Sequence, residues 1–143
     1  MPTNAKRSRP VLVDTSVAVA LIVSDHVSHD IVTASLRGER LGLAGHAFFE
    51  TYSVLTRLPP PSRRSPADVS DLLEHNFPES RYLDTEQIAE LARRLGGLGI
   101  SGGSVYDALV GAAAAYHGLS LATRDRRAFA TYRALEVSFR PIE

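Results

Sequence analysis

The run Val11-Leu12-Val13-Asp14-Thr15-Ser16 constrains this chain more than any other stretch. Three consecutive apolar residues, two of them β-branched, read as a strand buried on both faces, as in a parallel sheet. The apolar run from Val17 to Val23 then reads as a helix whose N-cap is Thr15 or Ser16. Asp14 therefore falls at the carboxyl end of a strand, the rim on which open α/β sheets bind ligands. A plainer account also stands: Asp14 simply caps the helix, a role that Asp favours.

The alternation continues along the chain. A helix is expected over Val27 to Leu36, with Val27, Ile31 and Ala34 at helical spacing, and a strand over Leu41 to Ala44. Gly45-His46 opens a helix through Arg57, with Phe48, Tyr52 and Leu55 as its apolar stripe and Glu50 off that stripe. The prolines of Leu58 to Arg64 break it, and Ser65-Pro66-Ala67-Asp68 starts another helix to about Asn76. Arg81 to Leu83 is expected as a brief third strand. Asp84 caps a helix whose Ile88, Leu91, Ala92 and Leu95 form one apolar face. A glycine-rich loop leads to a helix from Ser104 through His117, a strand over Leu119 to Ala122, a short helix from Arg126 to Tyr132 and an edge strand over Glu136 to Phe139. Strands alternating with helices predict a parallel sheet flanked by helices.

At 143 residues, 44% hydrophobic and 22% charged, the chain suits one compact domain, expected over residues 11–143 behind a flexible tail of residues 1–10. The absence of cysteine removes disulfides, zinc–thiolate sites and thiol nucleophiles together. No apolar run approaches the ~18 residues of a membrane span, so a soluble cytoplasmic protein is expected. Zero formal net charge argues against wrapping nucleic acid by bulk electrostatics, while leaving room for local basic patches.

The acids carry the functional signal. Asp14 and Asp125 each follow a strand, and Glu50 and Asp107 sit in early turns of helices that begin beyond strand ends. Each has its own bland explanation: Glu50 favoured by the helix dipole, Asp107 as capping-box partner of Ser104. All of those explanations nevertheless put a carboxylate on one rim. Two like charges about 4 Å apart cost roughly 4 kcal/mol at an effective dielectric of 20, so such a cluster needs protons or cations. Carboxylates without Cys or His suit hard divalent ions, Mg²⁺ or Mn²⁺, which also bind phosphate oxygens. His26 and His29, at a turn without a third ligand nearby, are read as exposed or capping histidines.

Four ordered motifs, Val13-Asp14-Thr15-Ser16, Phe49-Glu50-Thr51-Tyr52, Tyr106-Asp107-Ala108-Leu109 and Leu121-Ala122-Thr123-Arg124-Asp125, resemble those of the PIN domain, closest to VapC-type toxins of toxin–antitoxin pairs. The resemblance spans about Val11 to Phe139. It implies a PIN-like three-layer α/β/α fold with a central, mostly parallel sheet. It also implies an Mg²⁺-dependent endoribonuclease in which Asp14, Glu50, Asp107 and Asp125 are the catalytic and metal-binding acids, supported by a hydroxyl from Thr15, Ser16 or Thr123. Mn²⁺ would substitute. Single-stranded or loop RNA, such as tRNA or rRNA loops, is the implied substrate; a VapB-like antitoxin and a homodimer are the implied partners.

A receiver domain would need a lysine late in the chain, and none follows Lys6. A haloacid-dehalogenase-like phosphatase would want an Asp where Ser16 stands. A PIN-fold RNA- or antitoxin-binding module without activity remains the alternative. For substrate phosphates the candidates are Arg124, Arg126 and Arg127, with Arg63 and Arg64 more distant, because a guanidinium fork pairs with phosphate oxygens. The helix from Val17 to Val23, apolar all round, is expected to need cover from a second chain. The helices over Val27–Leu36 and Ser65–Asn76 are the expected antitoxin groove.

Overall fold

The computed structural model describes residues 8–143. Four strands form one all-parallel sheet in the order β2-β1-β3-β4: β1 (Val11–Val13), β2 (Leu41–Leu43), β3 (Ser120–Thr123) and β4 (Phe139–Pro141). Every residue of β1 is buried, as its continuous apolar run requires of a central strand. The helices are α1 (Thr15–Ile22), α2 (His29–Ser35), α3 (Ala47–Thr56), α4 (Pro66–Asn76), α5 (Thr85–Arg94), α6 (Ser104–His117) and α7 (Phe129–Ala134). α2 and α3 pack on α1, and α4 on α3; α5 and α7 pack on α6, and both α1 and α6 reach β3. The three-layer α/β/α arrangement is thus the expected one. No helix of the described residues is long and apolar enough to cross a membrane.

Helix starts follow local chemistry. Ser65 accepts the Asp68 N–H, with Pro66 at the first helical position. Asp84 and Gln87 form a reciprocal capping box. Two starts, and one expected capping box, differ from expectation. Asp14, and neither Thr15 nor Ser16, caps α1. α2 begins at His29 and buries Val32, leaving Val27 fully exposed. α6 is capped by Gly103 without a side-chain bond, so Ser104 makes no capping box with Asp107.

Two strands were placed too generously. Arg81–Leu83 makes only an isolated bridge, Ala44 with Arg81, because the Ser80 hydroxyl, accepting the Leu43 N–H, stands where a ladder bond would lie. Gly42 lets this segment close on β2: a Cβ there would stand 2.2 Å from the Glu79 carbonyl carbon. β4 begins at Phe139, not Glu136. Glu136 and Val137 donate to Arg133 and Tyr132 carbonyls in a turn that ends α7, with Glu136 at φ 58°.

The core of α3 is Ala47, Thr51 and Leu55, with Phe48 and Tyr52 only partly buried. α5 buries Leu91 alone, and Ile88 is exposed. α1 is covered largely from within the chain: Val17, Ala18 and Ala20 are fully buried, while Leu21, Ile22 and Val23 are partly so. Of the expected tail, residues 1–7 lie outside the described residues. Ser8 accepts from Arg40, Arg9 donates to the Gly118 carbonyl and Pro10 is buried, so these three lie against the domain.

Candidate active site

The carboxyl ends of β1 and β3 and the first turns of α3 and α6 enclose a shallow hollow of about 50 Å³. Asp14, Glu50, Asp107 and Asp125 all line it, with Thr15, Ser16, Val110 and Tyr132. The sequence-predicted acids are thus brought together. Asp107 is free to face the hollow because no capping box holds it.

Asp14 is buried at its centre, and its carboxylate accepts four hydrogen bonds. Oδ1 takes Ser16 Oγ at 2.5 Å and the Val17 N–H at 3.3 Å. Oδ2 takes the Thr123 hydroxyl and Tyr132 Oη, the latter at 3.1 Å. Two of these donors relay backbone amides from the end of β3: Arg124 N–H donates to Ser16 Oγ at 2.8 Å, and Asp125 N–H to Thr123 Oγ1 at 3.1 Å. Donors on both oxygens hold the Asp14 carboxylate in one orientation. Burial pushes its pKa up, and the four donors pull against that.

Glu50 and Asp107 are raised as well. For Glu50 burial is the main cause; the charges of Asp14 and Asp125 add to it, and His46 opposes it. Asp107 is pushed up to about 6, by burial first and then by Asp125, Glu50 and Asp14, with Arg127 opposing. These groups repel one another, as expected of carboxylates placed for a cation. Among the described residues no three His or acid side chains converge to metal-ligand distance. The donor set, oxygen only, is of the kind that hard divalent ions prefer.

The supporting hydroxyls divide. Ser16 and Thr123 hold Asp14, whereas Thr15 Oγ1 makes only 3.5 Å contacts with the Ala47 carbonyl and Thr51 Oγ1. The arginines divide too. Arg127, on the surface, donates to Asp125 Oδ1 through its backbone N–H at 3.1 Å and lies 3.4 Å from it through Nε. Arg126 pairs with Glu143 on the surface. Arg124 Nε is buried without a partner. Arg63 and Arg64 stand apart: Arg63 donates to the Leu58 carbonyl, and Arg64 lines a hollow with Val23 and Pro61. His26 accepts the Ser28 N–H and His29 bonds the Ala20 carbonyl, so both serve local structure.

Sequence reasoning missed Tyr132, His46 and Arg57. Tyr132 carries no local signal, since only the crossing of α7 and α6 brings it to Asp14. His46 and Arg57 share a second hollow with Glu50, one helical turn before it and two after. Their i, i+4 and i, i+7 spacing to Glu50 was the available signal.

The PIN domain family profile matches residues 11–135. The chain belongs to the PIN domain family. It is 47% identical over 128 residues to Ribonuclease VapC27 of Mycobacterium tuberculosis, covering 90% of this chain and 93% of that protein. It is 44% identical over 127 residues to Ribonuclease VapC40 of the same species, covering 87% and 92%. Among solved structures, that of VapBC2 from Rickettsia felis, bound to a DNA fragment from their promoter, superposes with a TM-score of 0.66 at 14% identity, covering 94% of this chain and 100% of that one. The last likeness is one of fold. The first two make this chain a VapC-type PIN protein.

Proposed function

We propose that this PIN protein is a divalent-metal-dependent endoribonuclease toxin that hydrolyses phosphodiester bonds in RNA and is held in check by a VapB-like antitoxin. The observation that carries this reading is the convergence of Asp14, Glu50, Asp107 and Asp125 on one hollow, with Asp14 raised in pKa by burial and Glu50 and Asp107 by burial and neighbouring charge. The kinship to VapC27 and VapC40, both named ribonucleases, supports it.

The four acids would hold Mg²⁺, or Mn²⁺ in its place. Such an ion, when bound, supplies Lewis acidity toward the phosphate and acidifies water. The chain's own residues do the rest. Ser16, Thr123 and Tyr132 fix the Asp14 carboxylate in one orientation, so that little reorganisation is needed when substrate arrives. Asp107, pushed up to about 6 by burial and the neighbouring acids, is the carboxylate whose ionisation a bound cation would favour most. Arg127 and Arg124, flanking Asp125, are the best-placed phosphate holders; Arg126 would first leave Glu143, and Arg63 and Arg64 serve only a long substrate.

Four acids and zero net charge repel bulk nucleic acid, so binding favours phosphates presented in a particular shape. Loops of tRNA or rRNA meet that description better than extended messages. Exposed Val27 and Ile31 on the α2 side give an antitoxin segment apolar anchors beside the expected groove of α2 and α4. Since α1 is covered from within, a homodimer would instead use Tyr82 and Ile88, exposed beside α5.

The deciding experiment is cleavage of total RNA by the purified chain with Mg²⁺ and with chelator, alongside Asp107→Asn, followed by sequencing of new 5′ ends. Metal-dependent ends enriched in structured loops are expected. RNA binding without cleavage in any divalent metal would favour the inactive module; evenly scattered ends would remove the structured target alone. A monomeric mass without antitoxin would remove the homodimer.

A further inference from the structure

The acid hollow does not end at the acids. It shares Glu50 with a second hollow containing His46, Phe49 and Arg57, and that one shares His46 and Phe49 with a third, bounded by Tyr82 and Leu109. His46, Phe49 and Tyr82 line this path, and Tyr106 stacks on His46 beside it. Phe49 and Tyr106 are 62% and 54% exposed, and each is the chain neighbour of an acid, Glu50 and Asp107. The His46 ring lies against Tyr106 with centroids 5.2 Å apart and planes 26° from parallel. Phe49 stands 6.5 Å from His46, tilted by 37°.

Large aromatics left facing water beside a catalytic centre call for a partner with a flat apolar face. Successive helical residues point about 100° apart, so Phe49 and Tyr106 flank the acid hollow and do not fill it. Resting on the ribonuclease reading, we propose that Tyr106, His46 and Phe49 form a stacking platform for an unpaired nucleobase of the RNA substrate, adjacent to the scissile phosphate. Unpaired bases stack on such rings whatever their sequence, and paired bases cannot. The platform thereby selects loops and single strands, and Arg57, in the same hollow as His46 and Phe49, offers a cation to the substrate backbone.

A second copy of the chain is the competing occupant. A two-fold interface centred on Phe49 and Tyr106 repeats the same patch on both partners, bringing two sets of Glu50 and Asp107 toward each other. An unpaired base, itself neutral, brings no second set of carboxylates to the patch.

The test uses the full chain and a fluorescein-labelled single-stranded oligoribonucleotide, with Ca²⁺ in place of Mg²⁺, compared with the same oligomer made abasic. Leucine keeps apolar bulk and removes the π-face. Tyr106→Leu and Phe49→Leu are each expected to weaken binding of the intact oligomer about tenfold, with little change for the abasic one, while Tyr106→Trp retains binding. Unchanged binding by both leucine variants overturns the platform, and so does a shift of oligomeric mass in either, which assigns the surface to a protein interface. If the wild-type chain binds no RNA and cuts none, the ribonuclease reading falls first and the platform with it. If it cuts RNA and the leucine variants bind and cut equally well, the platform alone falls.

Discussion

Tyr132 Oη donates a hydrogen bond to Asp14 Oδ2 at 3.1 Å, joining α7 to the end of β1 inside the acid centre. The phenol is buried, and burial together with the Asp14 charge pushes its pKa far up, so it stays a neutral donor throughout the working range. Its removal leaves a buried carboxylate short of one donor. Hydrogen bonds to charged groups contribute about 1.5–3 kcal/mol. Tyr132→Phe should therefore lose about that much stability in urea, and weaken divalent-ion affinity measured by calorimetry. A variant equal to wild type in both would show that Ser16, Thr123 and Val17 suffice.

Gly111 makes that bond reachable. A Cβ at this position would stand 2.9 Å from Tyr132 Cδ1 and 3.1 Å from Val137 Cγ2, so α6 and α7 approach only because the side chain is absent. Gly111→Ala should displace the Tyr132 ring, costing about 1–3 kcal/mol as overpacking. Its effect should be smaller in a Tyr132→Phe background, because part of the damage is the same lost bond. Additive losses in a double-mutant cycle would separate the two residues.

What the sequence reveals here and what it hides follow from the range of the interactions. The strand, acid and helix of Val11 to Ile22 were legible because three local signals agree within a dozen residues. The acids were legible as a set because each sits at a strand end or helix start. Two local signals mislead: Asp14 is both cap and site residue in place of a Thr15 or Ser16 cap, and Asp107 has a Ser three residues before it that does not bond to it. Arg81–Leu83 has strand-forming residues, but the ladder position is taken by Ser80, whose hydroxyl also donates to the Phe77 carbonyl. Tyr132 depends on a contact 118 residues away in the chain, and nothing local encodes that.

Arg127 lies nearest the acids among the candidate phosphate holders, opposing the rise in Asp107 and pairing with Asp125. It is nearly fully exposed, so that ion pair adds little to stability. Arg127→Glu should thus leave the melting temperature within a degree or two of wild type. It should weaken RNA binding and lower the slope of log affinity against log salt by about 1 to 2, since one contact is lost and one repulsion gained. An unchanged slope would remove Arg127 from the substrate path.

Asp107 offers the sharpest pH test. Its folded pKa of about 6 lies above the ordinary 3.8, so between those values the folded state binds more protons than the unfolded one. Stability of the metal-free protein should then fall as pH rises from about 4 through about 6, by on the order of 1 kcal/mol for a half-buried group open to solvent screening. A divalent ion should restore what is lost at pH 7, by favouring the ionised carboxylates. Asp107→Asn should flatten the fall, stabilise the metal-free protein at pH 7 and remove most of the ion-induced shift. Asp14→Asn should behave differently, because its new amide N–H₂ takes the place of an oxygen that accepts two hydrogen bonds. It should be destabilised at pH 7 even without metal, although it too relieves repulsion. Thermal melts across pH with Mg²⁺ and with chelator check both variants. Equal stabilisation by the two would mean that charge relief outweighs the hydrogen bonds at Asp14.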